Sequence, residues 1–154
     1  MGNIRINRYI LSRIPDTLES DRLILRPLVK DDFKDFFSFI RDENSTRYLS
    51  LTKEQKSYHG ARELLDLIVD RYGQKNQIFL LAAVRKKDHQ YLGTVGLFPT
   101  KIVRNAEIFY SLLSKYRGKG YATEASYRLL AYGFSELELE CIVAYILPPN
   151  EPSA

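Results

Sequence analysis

The sequence predicts an α+β fold in which one mixed, mostly antiparallel sheet is flanked by helices. Three consecutive β-rich runs separated by turns predict an antiparallel meander. A helical pattern and a further β-rich run follow, and a strand that returns after a crossover helix lies parallel to the strand before that helix. With 154 residues, of which 45% are hydrophobic, the chain is long enough for one domain with a core and too short for two ordinary ones.

The first predicted element is a strand at residues 21–27. Leu23 and Leu25 alternate there with arginine and isoleucine, and Pro27 ends the strand in a turn. We predict no element before Asp21. Residues 1–16 are assigned to a loose N-terminal arm, and the domain to residues 17–154.

Two amphipathic helices are predicted next. Asp31 and Asp32 offer an N-cap and negative charge for a helix that ends near Arg41. A second helix starts between residues 52 and 59 and runs to residue 72, where Gly73 stops it. The residues between the two helices are polar and predicted to be irregular. We expect the pair to form one wall of a substrate cleft.

The meander strands are predicted at three β-rich runs, residues 78–84, 91–97 and 106–113. A charged hairpin loop joins the first two runs. A helix with alanine and leucine at helical spacing follows a glycine-containing turn and fades near residues 134–137. The last predicted strand covers residues 141–147.

The charge and hydrophobicity of the chain bear on whether it binds phosphate ligands, nucleic acids or membranes. The chain carries 23 Lys and Arg against 19 Asp and Glu, and the net charge of +4 is spread along the sequence, which suits a small ligand with several phosphates. The basic residues lack interleaved stacking aromatics, so nucleic-acid binding is not predicted. No run is apolar enough to span a membrane and the start does not resemble a secretory signal, so we predict a cytoplasmic protein that does not bind membranes.

Cys141 is the only cysteine in the chain, so an internal disulfide is excluded. Its apolar neighbours Ile142 and Val143 predict a small buried side chain rather than a nucleophile, because the sequence offers no base near it. With one cysteine and two distant histidines, no metal site is predicted.

The most informative segment is the strand-to-helix turn that contains Gly118 and Gly120. Glycines permit unusual dihedrals and a close approach to the backbone, while the free N–H groups and dipole of a helix start favour a phosphate. Arg117 and Lys119 add mobile positive charge. Taken alone, the glycines are equally explained by closure of the loop. The spacing is not that of a P-loop, and Thr123 stands where a dinucleotide fingerprint needs a small residue.

Residues 106–125, which end in Arg117-Gly-Lys-Gly-Tyr-Ala-Thr-Glu-Ala125, resemble the coenzyme A signature of the GNAT acetyltransferases, in particular the branch that includes the ribosomal-protein N-terminal acetyltransferases. Asp21-Arg-Leu-Ile-Leu-Arg-Pro27, Leu92-Gly-Thr-Val-Gly96 and Pro149-Asn-Glu-Pro-Ser153 support the resemblance, which covers the chain from about Thr17. It implies a GNAT-like fold and an N-acetyltransferase that uses acetyl-CoA as cosubstrate. The acceptor would be a primary amine, on a protein N-terminus or a small molecule, that attacks directly.

The resemblance also implies where acetyl-CoA binds. Pantetheine would enter a gap between the third meander strand and the following parallel strand, and would pair with the backbone of Ser111, Leu112 and Leu113. The turn would hold the pyrophosphate through Arg117, Gly118, Lys119, Gly120 and Tyr121. Lys115 replaces the Gln or Arg that usually opens the family's turn motif. Because backbone N–H groups make most phosphate contacts, we expect little loss of binding.

Acetyl transfer to an amine needs a neutral amine, a group that stabilises the tetrahedral oxyanion and a proton source for the leaving thiolate. By the resemblance, Glu107 is the candidate base, direct or through water, although strand charges more often face solvent. A main-chain N–H near Leu112 would stabilise the oxyanion. Asn150 and Ser153 match the family's Asn-x-x-Ser pattern and are the candidates for the general acid that protonates the thiolate. They would equally serve to cap a following helix.

Members of this family continue with a further helix and two strands, so the resemblance predicts a domain that is incomplete at its C-terminus. A domain that is incomplete in this way would have an unpaired sheet edge, which favours association between chains. A homodimer is one expected form of that association. It also keeps a second hypothesis open, a non-catalytic acyl-CoA-binding or interaction module that binds the ligand without turnover.

Overall fold

A computed structural model describes residues 13–47 and 50–144 and contains one six-stranded sheet whose strands lie in sequence order. Neighbouring strands are antiparallel from the first to the fifth, and the sixth is parallel to the fifth. The predicted mixed, mostly antiparallel sheet is therefore confirmed. The strands are β1 (Leu18–Glu19), β2 (Leu23–Pro27), β3 (Phe79–Arg85), β4 (Gln90–Pro99), β5 (Asn105–Leu112) and β6 (Cys141–Val143).

Helices follow the predicted order, with one addition. The helices are α1 (Phe33–Arg41), α2 (Glu43–Thr46), α3 (Tyr58–Arg71) and α4 (Tyr121–Ser135). The prediction that residues 42–51 are irregular is wrong for α2, whose N-cap Asp42 accepts hydrogen bonds from the N–H groups of Asn44 and Ser45 at 3.1 and 3.3 Å. A single helical turn is too short to show a 3.6-residue period. None of the helices in the described ranges is both long and apolar enough to cross a bilayer.

The chain joins the sheet earlier than predicted. In β1, Leu18 pairs with Leu25 of β2 and is 4% exposed, so the prediction that no element precedes Asp21 is wrong. Two residues cannot display an alternating pattern, which explains the miss. The described end of the predicted arm is also attached, since the Tyr132 hydroxyl donates to the Arg13 carbonyl at 2.6 Å. Residues 1–12 lie outside the described part.

The two faces of the sheet are covered by different helices. Phe39 of α1 meets the ring of Tyr91 edge-on, with 6.4 Å between ring centroids. On the opposite face, α4 lies close to β4 and β6: a Cβ added at Gly133 would stand 2.8 Å from the Ile142 side chain and 3.7 Å from that of Leu97. Because side chains alternate between faces along a strand, every second residue of β5 faces the α1–α3 layer.

Cys141 corrects another expectation. It lies at the start of β6, opposite Asn105 of β5, and its side chain is exposed rather than buried. The apolar run that follows it faces the core through Ile142, whose side chain lies next to Gly133 on the buried face of α4. The hydrophobic pattern therefore located the strand but not which face of it was buried. Residues 145–147 of the predicted strand are outside the described ranges.

Asp32 occupies the N-cap position of α1, as predicted, but its side chain makes no capping hydrogen bond to that helix. It is the last residue of a short 3-10 turn (Lys30–Asp32) and reaches back to accept the Val29 N–H at 2.8 Å. Its two carboxylate oxygens also accept from the Arg26 guanidinium, at 2.8 Å each. The Asp32 side chain is only 8% exposed. One carboxylate thus ties the end of β2 to the start of α1.

We expect Asp32→Ala to lower the free energy of unfolding by about 2 to 3 kcal/mol, because it leaves a half-buried guanidinium and a backbone N–H without an acceptor. Urea unfolding followed by circular dichroism measures this change. Asp70→Ala is the matched control: Asp70 pairs with Lys30 at 3.1 Å but is 64% exposed, so its loss should cost less than about 0.5 kcal/mol. Equal losses in the two variants would contradict the buried role of Asp32.

Candidate active site

The strand-to-helix turn between β5 and α4 depends on its two glycines. After a 3-10 turn at Ser114–Tyr116, Arg117 is extended, and Gly118 and Gly120 adopt positive φ angles of 76° and 81°. Gly120 is also the N-cap of α4. The left-handed region is readily available only to glycine. The path of the backbone therefore favours glycine at both positions, whichever ligand the turn holds.

This path leaves a cluster of backbone donors. Tyr116 and Arg117 donate to Leu113 and Ser114 within the turn, and Glu124 donates to Gly120 at 3.0 Å. In the part of the chain that the structure describes, the N–H groups of residues 118–121 have no backbone acceptor. They lie at the positive end of the α4 dipole. The geometry suits a phosphate or pyrophosphate, as the glycine spacing predicts.

Arg22 braces the turn from the neighbouring strand. Its guanidinium donates to the Lys119 carbonyl at 3.0 Å and to Glu124 at 2.8 Å, and its Cζ atom lies 4.3 Å from the Tyr121 ring centroid. Glu124 also accepts from the Ser20 hydroxyl at 2.5 Å. Burial alone would raise the pKa of Glu124, but the hydrogen bonds from Ser20 and Arg22 outweigh it and lower that pKa. The Glu124 carboxylate is therefore ionised at neutral pH and keeps its hydrogen bonds from Arg22 and Ser20.

A second set of contacts holds the turn from the α1–α2 side. The Asp42 carboxylate accepts from the N–H and the hydroxyl of Ser114, at 3.0 and 2.9 Å. Burial would raise the pKa of Asp42, and the bonds from Ser114 and Ser45 reverse that effect and lower it. The Arg117 guanidinium donates to the Asn44 carbonyl at 2.8 Å. Arg117 is thus fixed in place, whereas the sequence suggested a mobile charge.

Of the three residues predicted to pair with pantetheine, Leu112 is the one whose backbone N–H and carbonyl point away from β4. Leu113 N–H donates to Leu92 at 2.8 Å, so the backbone groups of Leu113 and Ser111 point toward β4 and those of Leu112 point away. The Leu112 carbonyl accepts from the Ser45 hydroxyl at 2.8 Å. The Leu112 N–H is therefore the group of this trio that faces the predicted gap.

The gap itself lies partly outside the described residues. The described pairing of β6 with β5 covers Asn105 to Glu107, and Leu112 lies further along β5. The segment after residue 144, which would flank the gap, is not described. A splayed pair of strands at Leu112 remains a prediction of the resemblance.

Glu107 lies opposite Phe98 on β4 and Val143 on β6. Alternation along β5 places it on the same face as Ser111, whose hydroxyl donates to the Ser45 carbonyl at 2.6 Å. Glu107 is partly exposed, and within the described ranges its carboxylate has neither a hydrogen-bond donor nor an ion-pair partner. It is therefore available to accept a proton. Asn150 and Ser153, the other candidate catalytic residues, fall outside the described residues.

The model of the family described as an acetyltransferase (GNAT) domain matches residues 22–154. The uncharacterized N-acetyltransferase p20 of Bacillus licheniformis is 32% identical to the chain over 141 residues, which cover 90% of this chain and 77% of the relative.

Solved structures share the fold. An acetyltransferase (GNAT family) from Bacillus anthracis gives a TM-score of 0.75 at 22% identity, over 89% of this chain and 77% of that one. The ribosomal-protein-S5-alanine acetyltransferase of Vibrio fischeri gives 0.67 at 22% identity, over 89% and 77%. Mycobacterium smegmatis RimJ in complex with CoA-disulfide gives 0.69 at 22% identity, over 90% and 71%. The predicted likeness to the ribosomal-protein acetyltransferase branch is confirmed for the fold.

Proposed function

Because this chain belongs to the GNAT acetyltransferase family, we propose that it transfers an acetyl group from acetyl-CoA to a primary amine. The observation that carries the proposal is the turn between β5 and α4, where Gly118 and Gly120 hold a cluster of N–H donors at a helix start. Such a cluster fits the pyrophosphate of coenzyme A. The structure of RimJ with CoA-disulfide supports the choice of ligand by analogy.

The proposed binding mode uses two groups of residues. The turn from Arg117 to Tyr121 holds the pyrophosphate, and the backbone of Leu112 pairs with pantetheine, with Ser111 and Leu113 lining its path. Arg22, Glu124 and Asp42 do not contact the ligand in this proposal. They fix the turn in the binding geometry before the ligand arrives, so less ordering entropy opposes binding.

The proposed chemistry needs no covalent enzyme intermediate. The neutral amine attacks the thioester carbonyl carbon, and the Leu112 N–H donates to the oxyanion that forms. Glu107 accepts the proton that the amine loses, directly or through a water molecule. The C–S bond then breaks, and the departing thiolate takes a proton from the Ser153 hydroxyl, which regains a proton from solvent while Glu107 releases its own to solvent. Asn150 is the other candidate in that segment. The products are the acetylated amine and free coenzyme A.

The acceptor is proposed only as a primary amine, on a protein N-terminus or a small molecule. It would approach the face of the sheet that the α1–α3 layer covers, since Glu107 lies on that face. A cytoplasmic location accords with an acetyl-CoA-dependent reaction and stays a prediction.

The experiment that tests the function combines calorimetric titration of acetyl-CoA with an assay of thiol release. Peptides with free N-termini and small primary amines serve as acceptors, and Nα-acetylated copies of the same peptides serve as controls. We expect saturable binding, thiol release only with free amines and a product heavier by one acetyl group. Binding without release for any acceptor would favour the non-catalytic acyl-CoA-binding module. A folded chain that does not bind acetyl-CoA would overturn the proposal.

A further inference from the structure

A pocket of about 380 Å³ lies where α3 ends, β3 begins and β4 ends. The end of β4 pairs with the start of β5, and the glycine turn follows the other end of β5. This pocket and the turn are therefore at opposite ends of that strand. We call it the α3–β3 pocket, and its lining includes Arg71, Lys75, Ile78, Phe98 and Pro99.

The rim of the α3–β3 pocket is cationic. It carries Arg71 and Lys75, and none of its described lining residues is acidic. Within the described ranges neither cation has a carboxylate at ion-pair distance, since the neighbouring Asp70 pairs with Lys30 at 3.1 Å. The end of α3 adds roughly half a negative charge through the helix dipole, which the two cations exceed. The rim therefore favours an anion.

The backbone that carries the two cations is fixed. The Tyr72 hydroxyl donates to the Leu80 carbonyl, which ties the end of α3 to β3. The Gly73 N–H donates to the Gln77 side chain at 2.8 Å and closes the loop that contains Lys75. The Lys75 side chain is exposed, so its ammonium can follow a ligand. A ligand thus meets a preformed rim, and little ordering entropy opposes its binding.

The apolar wall of the α3–β3 pocket borders the candidate base. Phe98 lines the pocket and lies directly opposite Glu107 in the pair of β4 with β5, so the two side chains share a face. The Phe98 ring is also 6.0 Å from that of Phe109, two residues further along the same face. The cations lie on the β3 side of β4. Because strands are about 4.8 Å apart, the rim is about 5 to 10 Å from Glu107.

We propose that the α3–β3 pocket binds a carboxylate of the acceptor, with Arg71 and Lys75 as its partners and Phe98 against the apolar part. The inference rests on the proposed function, because Glu107 marks the position of the reacting amine. One residue spans about 3.5 Å, so the amine and carboxylate of a single α-amino acid are too close together to fill both positions. Two sources fit: an acidic side chain at the second or third residue of a peptide, and an ω-amino acid of similar length.

Initial-rate kinetics with C-terminally amidated peptides test the inference. The peptides differ only by Glu or Gln at the second, third or sixth residue. We expect kcat/KM to be about 10-fold higher for Glu at the second or third residue, the effect of one charge-assisted hydrogen bond, and equal at the sixth. A preference of the same size at all three positions would reflect general attraction to a cationic protein and overturn the inference. The same comparison of ε-aminocaproate with its amide tests the small-molecule source.

Arg71→Gln combined with Lys75→Gln should bring the ratio of kcat/KM for Glu and Gln peptides to about 1. Lys34→Gln with Lys53→Gln removes the same charge from two exposed positions and should keep the ratio. Lys53 precedes α3, whose 14 residues, about 21 Å, separate it from the pocket. If the first double variant folds poorly, Lys75→Gln alone should lower the ratio to about 3. A ratio that survives the loss of the rim cations overturns the inference.

Anisotropy titration of the same peptides, labelled at the C-terminus, separates this inference from the proposed function. Tighter binding of the Glu peptide that depends on Arg71 and Lys75, without turnover of any acceptor, would retain the carboxylate site and remove the transferase. Turnover without a Glu preference would retain the transferase and overturn the carboxylate site. The absence of both turnover and preferential binding would overturn both.

Discussion

We expect Gly120→Trp to reduce the affinity for acetyl-CoA by at least about 100-fold, because the indole covers the N–H cluster and the residue resists the left-handed backbone. Gly120 has a φ angle of 81° and is the N-cap of α4, so the substitution acts at the centre of the predicted pyrophosphate site. Calorimetric titration of the purified variant measures the change.

Gly73→Trp is the control that separates blockage from backbone strain. Gly73 has almost the same φ angle, 80°, and a Cβ there would meet no atom within 4 Å. It ends α3, far along the chain from the turn. Both variants should lose stability, by about 1 to 2 kcal/mol from the left-handed conformation, while only Gly120→Trp should lose binding. Retained binding in folded Gly120→Trp would remove the turn from the proposed site.

The second large effect is expected at Glu107. With an acceptor identified, Glu107→Gln should lower kcat by about 100-fold, the scale of a lost general base, and leave the affinity for acetyl-CoA unchanged. The reason is that Glu107 faces the α1–α3 layer with an unpaired carboxylate in the described ranges. Steady-state kinetics and calorimetry on the same preparation separate the two quantities.

Glu63→Gln controls for the loss of one carboxylate. Glu63 lies on α3 with a side chain that is 68% exposed and pairs with His59 at 3.1 Å, so kcat should stay within about two-fold of wild type. A kcat of Glu107→Gln equal to that of Glu63→Gln would show that another group, or solvent, accepts the proton.

The long helices and strands could be predicted from the sequence, and the elements of two to four residues could not. The helices α1, α3 and α4 are long enough for a helical period to be visible, and the three meander strands, each of seven or more residues, were predicted as β-rich runs between turns. The strand β1 and the helix α2 have two and four residues, and were missed for the opposite reason. Cys141 shows a further limit, since an apolar run does not state which of its residues faces solvent.

In the site, too, features set by neighbouring residues could be predicted from the sequence, and contacts between distant residues could not. The need for Gly118 and Gly120 follows from the local turn and was predicted. The support of that turn was not: Glu124 and Arg22 are both in the motif-bearing segments, yet their pairing depends on the docking of β2 beside α4. Likewise, Arg117 was assigned to the ligand from its charge, and only the fold shows that Asn44 holds it.

The Arg22–Glu124 brace also constrains the order in which the domain can fold. Its partners are 102 positions apart, and closing a loop of that length costs entropy that is repaid only when the intervening sheet has formed. During synthesis Arg22 leaves the ribosome long before Glu124, so Arg22 lacks this partner while the intervening residues are made. The glycine turn consequently acquires its final shape late, after the meander has assembled.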